Sequence, residues 1–361
     1  MPWHEIKGHD AVAERFRRCL RRGRLASTFL FVGPSGIGKR TFALEMAKAL
    51  LCETNSEADF DACGTCPVCV QVGSLSHSDL EYVCKPDDKT TIPVETFIGD
   101  REHRMREGLL HRIGLKPFQG GRKIAIVDDA DTLNLESANC LLKTLEEPPP
   151  KCVIILIGTS EQRQLPTIRS RSQVIRFSSL PATVVAELLV QQQLVDDLST
   201  AKRLAALADG SLQRAVEMQQ EGLLDFRDTL FSRLSAEKTD GIELQRDLAQ
   251  FAESAGKDTA DKRLRIRHAA DFAGEFFQQL ARRLTGTAVV GDKSLVDAVE
   301  DACRHWHAGP ASATQCVDRC LAVLGHVDAN ANPATLLECW ADELSAMIRD
   351  AHAGRESIGT A

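Results

Sequence analysis

Hydrophobic and polar positions follow two different rhythms along the chain. Up to about residue 178, apolar runs of strand length alternate with stretches of helical period. Three runs read as buried strands: Phe29–Val32, Lys123–Val127 and Val153–Gly158. Each is rich in β-branched or aromatic residues and gives way to polar or glycine-rich residues. This order predicts an α/β layer on a parallel sheet, with chemistry gathered at the carboxyl ends of the strands.

After Pro181 only the helical rhythm remains. Val184–Gln193 and Ser199–Gln220 predict a short helical unit, with Gly210-Ser211 as a break. From about residue 223 a longer helical region begins. There Ile266, Ala269, Ala273, Phe276, Phe277, Leu280 and Leu284 recur at helical spacing and predict a core-facing stripe. Further helices are expected at Leu295–His307, Ala313–Val327 and Pro333–Asp350, then a frayed tail from Gly354 to Ala361. The expected domains are therefore 1–178, 179–222 and 223–361.

The length of 361 residues agrees with more than one domain, because single cores rarely grow past roughly 250–300 residues. Charge adds a restriction. Lys and Arg total 44 against 51 Asp and Glu, a net charge of −7, so the whole molecule does not attract polyanions. The basic stretch Arg101, Arg104, Arg106, Arg112, Arg122 and Lys123 reads as solvated or inter-subunit surface ahead of a DNA-facing one. No run of apolar residues is long enough to span a membrane. Met1-Pro2-Trp3-His4-Glu5 lacks the pattern of a secretory leader. The expected location is the reducing cytoplasm, where cysteines serve as metal ligands or buried thiols.

The first strand leads into Gly33-Pro34-Ser35-Gly36-Ile37-Gly38-Lys39-Arg40-Thr41 and then a helix. Strand, glycine loop and helix stand in the order of a phosphate-binding loop. Gly33, Gly36 and Gly38 let amides turn toward phosphate, and Lys39 supplies a charge. The pattern requires Ser or Thr after the lysine to hold Mg²⁺, but that position is Arg40. Thr41 comes one residue late, turned about 100° around the helix. Sequence thus leaves ATP binding open and counts against hydrolysis. Asp128 and Asp129 end the second strand, where a carboxylate orients Mg²⁺ and the next acid polarises water. Asp129 is shorter than the glutamate usual there, and both acids could simply open a solvated loop. A hydroxyl at the end of the third strand, where Thr159 and Ser160 stand, could meet a γ-phosphate or a water, and equally Thr159 or Ser160 could cap the following segment.

Cys52, Cys63, Cys66 and Cys69 offer four thiolates, with glycine and proline to turn the chain between them. The set suits a tetrahedral, closed, structural Zn²⁺ site, with an iron–sulfur cluster as the chemical rival. Cys140, Cys152, Cys316 and Cys320 lie among apolar residues and read as core. Arg169 and Arg171 flank a polar turn after Pro166, a pattern that by itself reads as solvated surface.

Taken in order, these motifs resemble the AAA+ subunits of bacterial DNA polymerase III clamp loaders. Phe29–Thr41 looks like their phosphate loop and the four cysteines, about 52–69, like their zinc module. Asn139–Pro149 is similar to their most diagnostic run, Ser170-Arg171-Ser172 to their serine-arginine-cysteine motif, and Gly210–Ala215 to their sensor 2 segment with Gln213 in place of arginine. The resemblance implies an AAA+ domain, a helical lid and a helical collar. The departures at Arg40, Asp128-Asp129 and Gln213 point to the kind of subunit that has lost its own ATPase but keeps a trans-acting arginine, here Arg171. The implied partners are gamma/tau and delta subunits, the sliding clamp and, through the complex, primer–template DNA. A self-sufficient ATPase of the gamma/tau type is the alternative.

Overall fold

The computed structural model describes residues 6–86, 89–118, 121–256 and 258–354. The residues read for a leader and the tail after Gly354 lie outside them. The chain folds as two compact units, Met1–Glu217 and Met218–Ala361.

The first unit runs α1 (Asp10–Arg21), β1 (Thr28–Val32), α2 (Lys39–Leu51), α3 (Pro67–Gly73), β2 (Leu80–Val83), α4 (Glu95–Ile98) and α5 (Gly108–Gly114). It continues β3 (Lys123–Val127), α6 (Leu135–Glu146), β4 (Cys152–Gly158), α7 (Pro166–Arg169) and β5 (Gln173–Arg176). Three more helices close it, α8 (Ala182–Gln191), α9 (Leu198–Leu207) and α10 (Leu212–Glu217). The sheet order is β2-β3-β4-β1-β5, with every pair parallel. The three expected strands are its centre. The sequence pattern does not predict the short β2 and β5: each is four residues long and only partly buried, with too little apolar pattern to stand out.

Alternation along the central strands fills both faces of the sheet. Phe29, Phe31, Ile124, Ile126, Val153 and Ile155 join one core, together with Phe16, Phe42, Phe60 and Phe177. Leu30, Val32, Ala125, Val127, Ile154 and Leu156 join the other. Helix starts are fixed locally. Asn134 Oδ1 accepts from the Ser137 amide at 2.8 Å and Asp197 Oδ1 from the Thr200 amide at 2.8 Å, opening α6 and α9.

The second unit is helical throughout: α11 (Leu223–Ser235), α12 (Gly241–Glu253), α13 (Thr259–Leu284), α14 (Lys293–His305), α15 (Pro310–Asp328) and α16 (Pro333–His352). The expected stripe is buried on α13 except Leu284, which is half-buried at the helix end, and Phe272 joins it. Arg227 is buried here beneath the Phe231 ring, 4.4 Å from its centroid, and donates to Asp292 at 2.7 Å. Cys316 and Cys320 are core residues of α15, as expected. No helix among the described residues is long and apolar enough to cross a membrane.

Candidate nucleotide site and cysteine cluster

The carboxyl ends of β1, β3 and β4 open onto a cavity of about 630 Å³ in the first unit. Its polar end is formed by Gly36, Gly38, Lys39, Arg40 and Thr41 from the glycine loop and α2, with Asp128, Asp129, Asp131 and Thr159 opposite. The rest of its lining mixes Ile6, Leu180, Leu188, Leu194, Leu212 and Val216 with Lys7, Gln192, Gln213 and Glu217. The glycines are required by conformation. Gly36 and Gly38 hold φ of 71° and 95°, and a Cβ on Gly36 would collide with Ser211 and Gln213. The reason is a close approach: the Leu212 amide, at the start of α10, donates to the Gly36 carbonyl at 3.0 Å.

Lys39 is buried, and its ammonium donates to the carbonyls of Gly33 at 2.7 Å and Pro34 at 2.5 Å. Burial lowers its pKa, and the charges of Asp128, Asp131 and Asp129 oppose that shift. His9 Nε2 shares a hydrogen bond with the Ile37 carbonyl at 2.7 Å and braces the loop from α1's side. A lone histidine before a helix carries no spacing signal, so nothing in the sequence pattern singles it out.

The magnesium position is changed in more than one residue. Asp128 Oδ2 accepts from the Tyr82 hydroxyl at 2.9 Å, and Oδ1 accepts from the Asp129 amide at 3.0 Å. Arg40 Nε lies 4.0 Å from the same Oδ2, with its guanidinium 4.9 Å from the centroid of the Tyr82 ring. Burial, then the Asp128 charge, pushes the Tyr82 phenol well above its usual range, so it remains a donor. A cation and two hydrogen-bond donors thus serve the carboxylate that would otherwise help orient a metal, and no hydroxyl follows Lys39. This donor set does not fit a Mg²⁺ ion. Asp129, in the left-handed region at φ 54°, leads the turn Ala130–Thr132.

The Thr159 hydroxyl has a partner that sequence did not indicate. It donates to Asp131 Oδ2 at 2.5 Å, its amide donates to the same oxygen at 2.6 Å, and Gln164 Nε2 donates to Oδ1 at 2.5 Å. The capping contact expected of Thr159 or Ser160 is made by Ser160, whose Oγ accepts from the Arg163 amide at 3.3 Å. On α10, Gln213 donates to Glu217 at 2.8 Å while Arg214 turns to Asp209 at 2.9 Å.

Cys52, Cys63, Cys66 and Cys69 present sulfurs all within 4.8 Å of one another. Tetrahedral Zn–S bonds of about 2.3 Å need sulfurs roughly 3.8 Å apart, so the set forms a possible zinc-binding site. Amides of Asn55, Cys63, Cys66 and Cys69 point at the sulfurs of Cys52, Cys63 and Cys66 over 3.3–3.5 Å, as thiolates require. Cys66 also caps α3, which Pro67 begins. The Thr54 hydroxyl, followed by backbone donors, lowers Cys63 to about 5, whereas burial raises Cys69. A second group, Asp100, His103 and Glu107, is exposed and held by its own turn.

Arg171 follows α7 and is not among the residues lining the cavity. Its Nε donates to Glu146 Oε1 at 2.6 Å and Nη1 to the Thr167 carbonyl at 3.0 Å. The basic stretch is divided. Arg112 pairs with Glu81 at 2.6 Å and Arg122 with Glu57 at 2.5 Å, and Lys123 is buried 3.6 Å from Asp79. Arg101, Arg104 and Arg106 are exposed.

Residues 8–181 match the family model described as DNA polymerase III, delta subunit. The DNA polymerase III subunit delta' of Pseudomonas aeruginosa is 33% identical over 207 residues, 57% of this chain and 60% of its own. That of Bacillus subtilis is 30% identical over 219 residues, 60% of this chain and 61% of its own. DNA polymerase III subunit tau of Escherichia coli is 27% identical over 223 residues, 61% of this chain and 32% of its own. The chain thus spans about three fifths of the length of the delta' relatives. The delta-subunit match runs from just before α1 to just after β5, so it contains the glycine loop, the cysteine cluster, Asp128 and Arg171.

Proposed function

We propose that this chain is a delta-prime-type subunit of a DNA polymerase III clamp loader, acting in replication to help place the sliding clamp on primer–template DNA. Its first 178 residues would be the AAA+ domain, residues 179–222 the lid and residues 223–361 the collar that joins gamma/tau and delta subunits. A structural Zn²⁺ on Cys52, Cys63, Cys66 and Cys69 would fix the segment between α2 and β2, with every ligand position filled by sulfur. No intrinsic ATP hydrolysis is assigned to the chain.

The observation that carries this reading is Arg40 beside Asp128, within 4.0 Å, where magnesium chemistry would need a hydroxyl and a free carboxylate. Arg171 supports it from the other side: a guanidinium outside its own cavity is available to a neighbour. In that role it would stabilise charge developing on the neighbour's γ-phosphate, an effect of about 10³–10⁵ in rate, or roughly 4–7 kcal/mol of barrier. The test is a reconstituted loader carrying Arg171→Ala. Loss of DNA-stimulated ATPase with assembly intact is expected, and an unchanged rate would remove the assignment.

A further inference from the structure

The mismatch at the magnesium position has a chemical solution inside the same cavity. Arg40 stands in the first turn of α2, directly after the lysine of the phosphate loop. Its guanidinium is held from two sides, by the face of Tyr82 at 4.9 Å and by Asp128 at 4.0 Å. Tyr82 is in turn tied to Asp128 at 2.9 Å, and the Asp128 amide donates to the Val83 carbonyl at 2.7 Å, so β2 and β3 hold the pair together. A fixed positive charge therefore sits beside the carboxylate that would otherwise help orient a metal ion.

We propose that the cavity binds a nucleoside di- or triphosphate without a divalent cation, the Arg40 guanidinium serving as the counter-charge in place of the metal. Four carboxylates line the cavity, Asp128, Asp129, Asp131 and Glu217, and phosphates would be repelled by them without a cation between. Asp131 accepts from Thr159 and Gln164, Asp128 faces Arg40 and Tyr82, and Glu217 accepts from Gln213, which leaves Asp129 as the carboxylate that Lys39 and Arg40 must outweigh. Lys39 and Arg40, adjacent at the start of α2, then supply the positive charge that faces the phosphates. A guanidinium presents a planar fork of donors that matches two phosphate oxygens, and it brings no tightly held water shell. Lys39 at present donates to its own loop, to Gly33 and Pro34, and phosphate oxygens would take over those bonds. Ile6, Leu180, Leu188, Leu194 and Leu212 in the same lining offer apolar surface for a base and sugar. The volume of about 630 Å³ is within the range of small-molecule sites, about 300–1,000 Å³. Such a nucleotide would be a resident ligand, because the site has no metal-activated water with which to cleave it.

The experiment is calorimetric titration of the full chain with ADP and with ATP, once in excess EDTA and once in excess Mg²⁺. Binding is expected in EDTA, with Kd values in the two buffers agreeing within about threefold. Arg40→Ser should weaken binding in EDTA by about tenfold or more, the worth of one charge-assisted hydrogen bond, and should make binding respond to Mg²⁺. Arg40 is exposed, so the substitution leaves the core intact. Arg40→Gln provides a second variant with the same expected loss in EDTA. Absence of binding by the unaltered chain in EDTA overturns the proposal. So does an affinity in EDTA that neither substitution changes.

Discussion

Arg171 grips Glu146, the last residue of α6, with Nε 2.6 Å from Oε1 and Nη2 on the same oxygen. The pair is partly exposed, and such pairs contribute only about 0–1 kcal/mol. Releasing the guanidinium is therefore a small cost beside the several kcal/mol that a trans-acting arginine supplies. Glu146→Ala is expected to change the unfolding free energy by less than about 1 kcal/mol. The DNA-stimulated ATPase of a reconstituted loader should stay at or above its unaltered rate, whereas Arg171→Ala lowers it by about 10³-fold or more. Steady-state phosphate release measures both variants. An equal fall for the two would assign the catalytic contribution to the pair and not to a guanidinium that leaves it.

Tyr82→Phe removes the hydroxyl from Asp128 but keeps the ring under Arg40. A lost hydrogen bond to a carboxylate costs about 1–3 kcal/mol. The urea midpoint should fall by a corresponding amount with an unchanged m-value. Tyr82→Leu should fall further, because it also removes the face on which the guanidinium rests. Equal losses for the two variants would show that the ring contributes nothing.

The cysteine cluster predicts about one zinc per chain by elemental analysis, lost in Cys66→Ser. Phe60, Ala62, Val68 and Val72 are buried in the core that also holds Phe16 and Phe42. Chelation should therefore open residues 52–73 first, read as lost amide-exchange protection there while β1, β3 and β4 stay protected. Uniform loss across the sheet would contradict a local structural role.

Burial, opposed by the Lys123 ammonium, pushes the Cys152 thiol up to about 11. Unfolded thiols titrate near 8.5, so the stabilising contribution is complete below that pH. Between about 8.5 and 11 the unfolded chain gives up the proton and the folded chain keeps it. Stability then falls with rising pH, on the order of 1 kcal/mol per pH unit from this group. Cys152→Ala should flatten the alkaline slope of the denaturation midpoint, whatever its offset from lost packing. A slope identical to that of the unaltered chain would count against the burial effect.

The sheet centre was legible because its strands are fully buried, and full burial imposes continuous apolar runs. Edge strands β2 and β5 lack that requirement, so their pattern is mixed. Site residues fixed by backbone spacing, such as Lys39, Asp128 and the four cysteines, could be read from motif order. Those acting through space could not. Tyr82 reaches Asp128 from 46 positions away, and Glu146 reaches Arg171 from 25. Only a sheet register that pairs Tyr82 with Ile126 brings the first two together. Thr159 shows the same limit: its position at the end of β4 was clear, but its engagement with Asp131 depends on the turn after β3.

The bond from the Leu212 amide to the Gly36 carbonyl joins the cover of the cavity to its floor without an intervening side chain. Moving α10 away from the glycine loop must break this bond, a net exchange worth about 0.5–1.5 kcal/mol, so the placement of the helix and the shape of the loop are coupled by about that much.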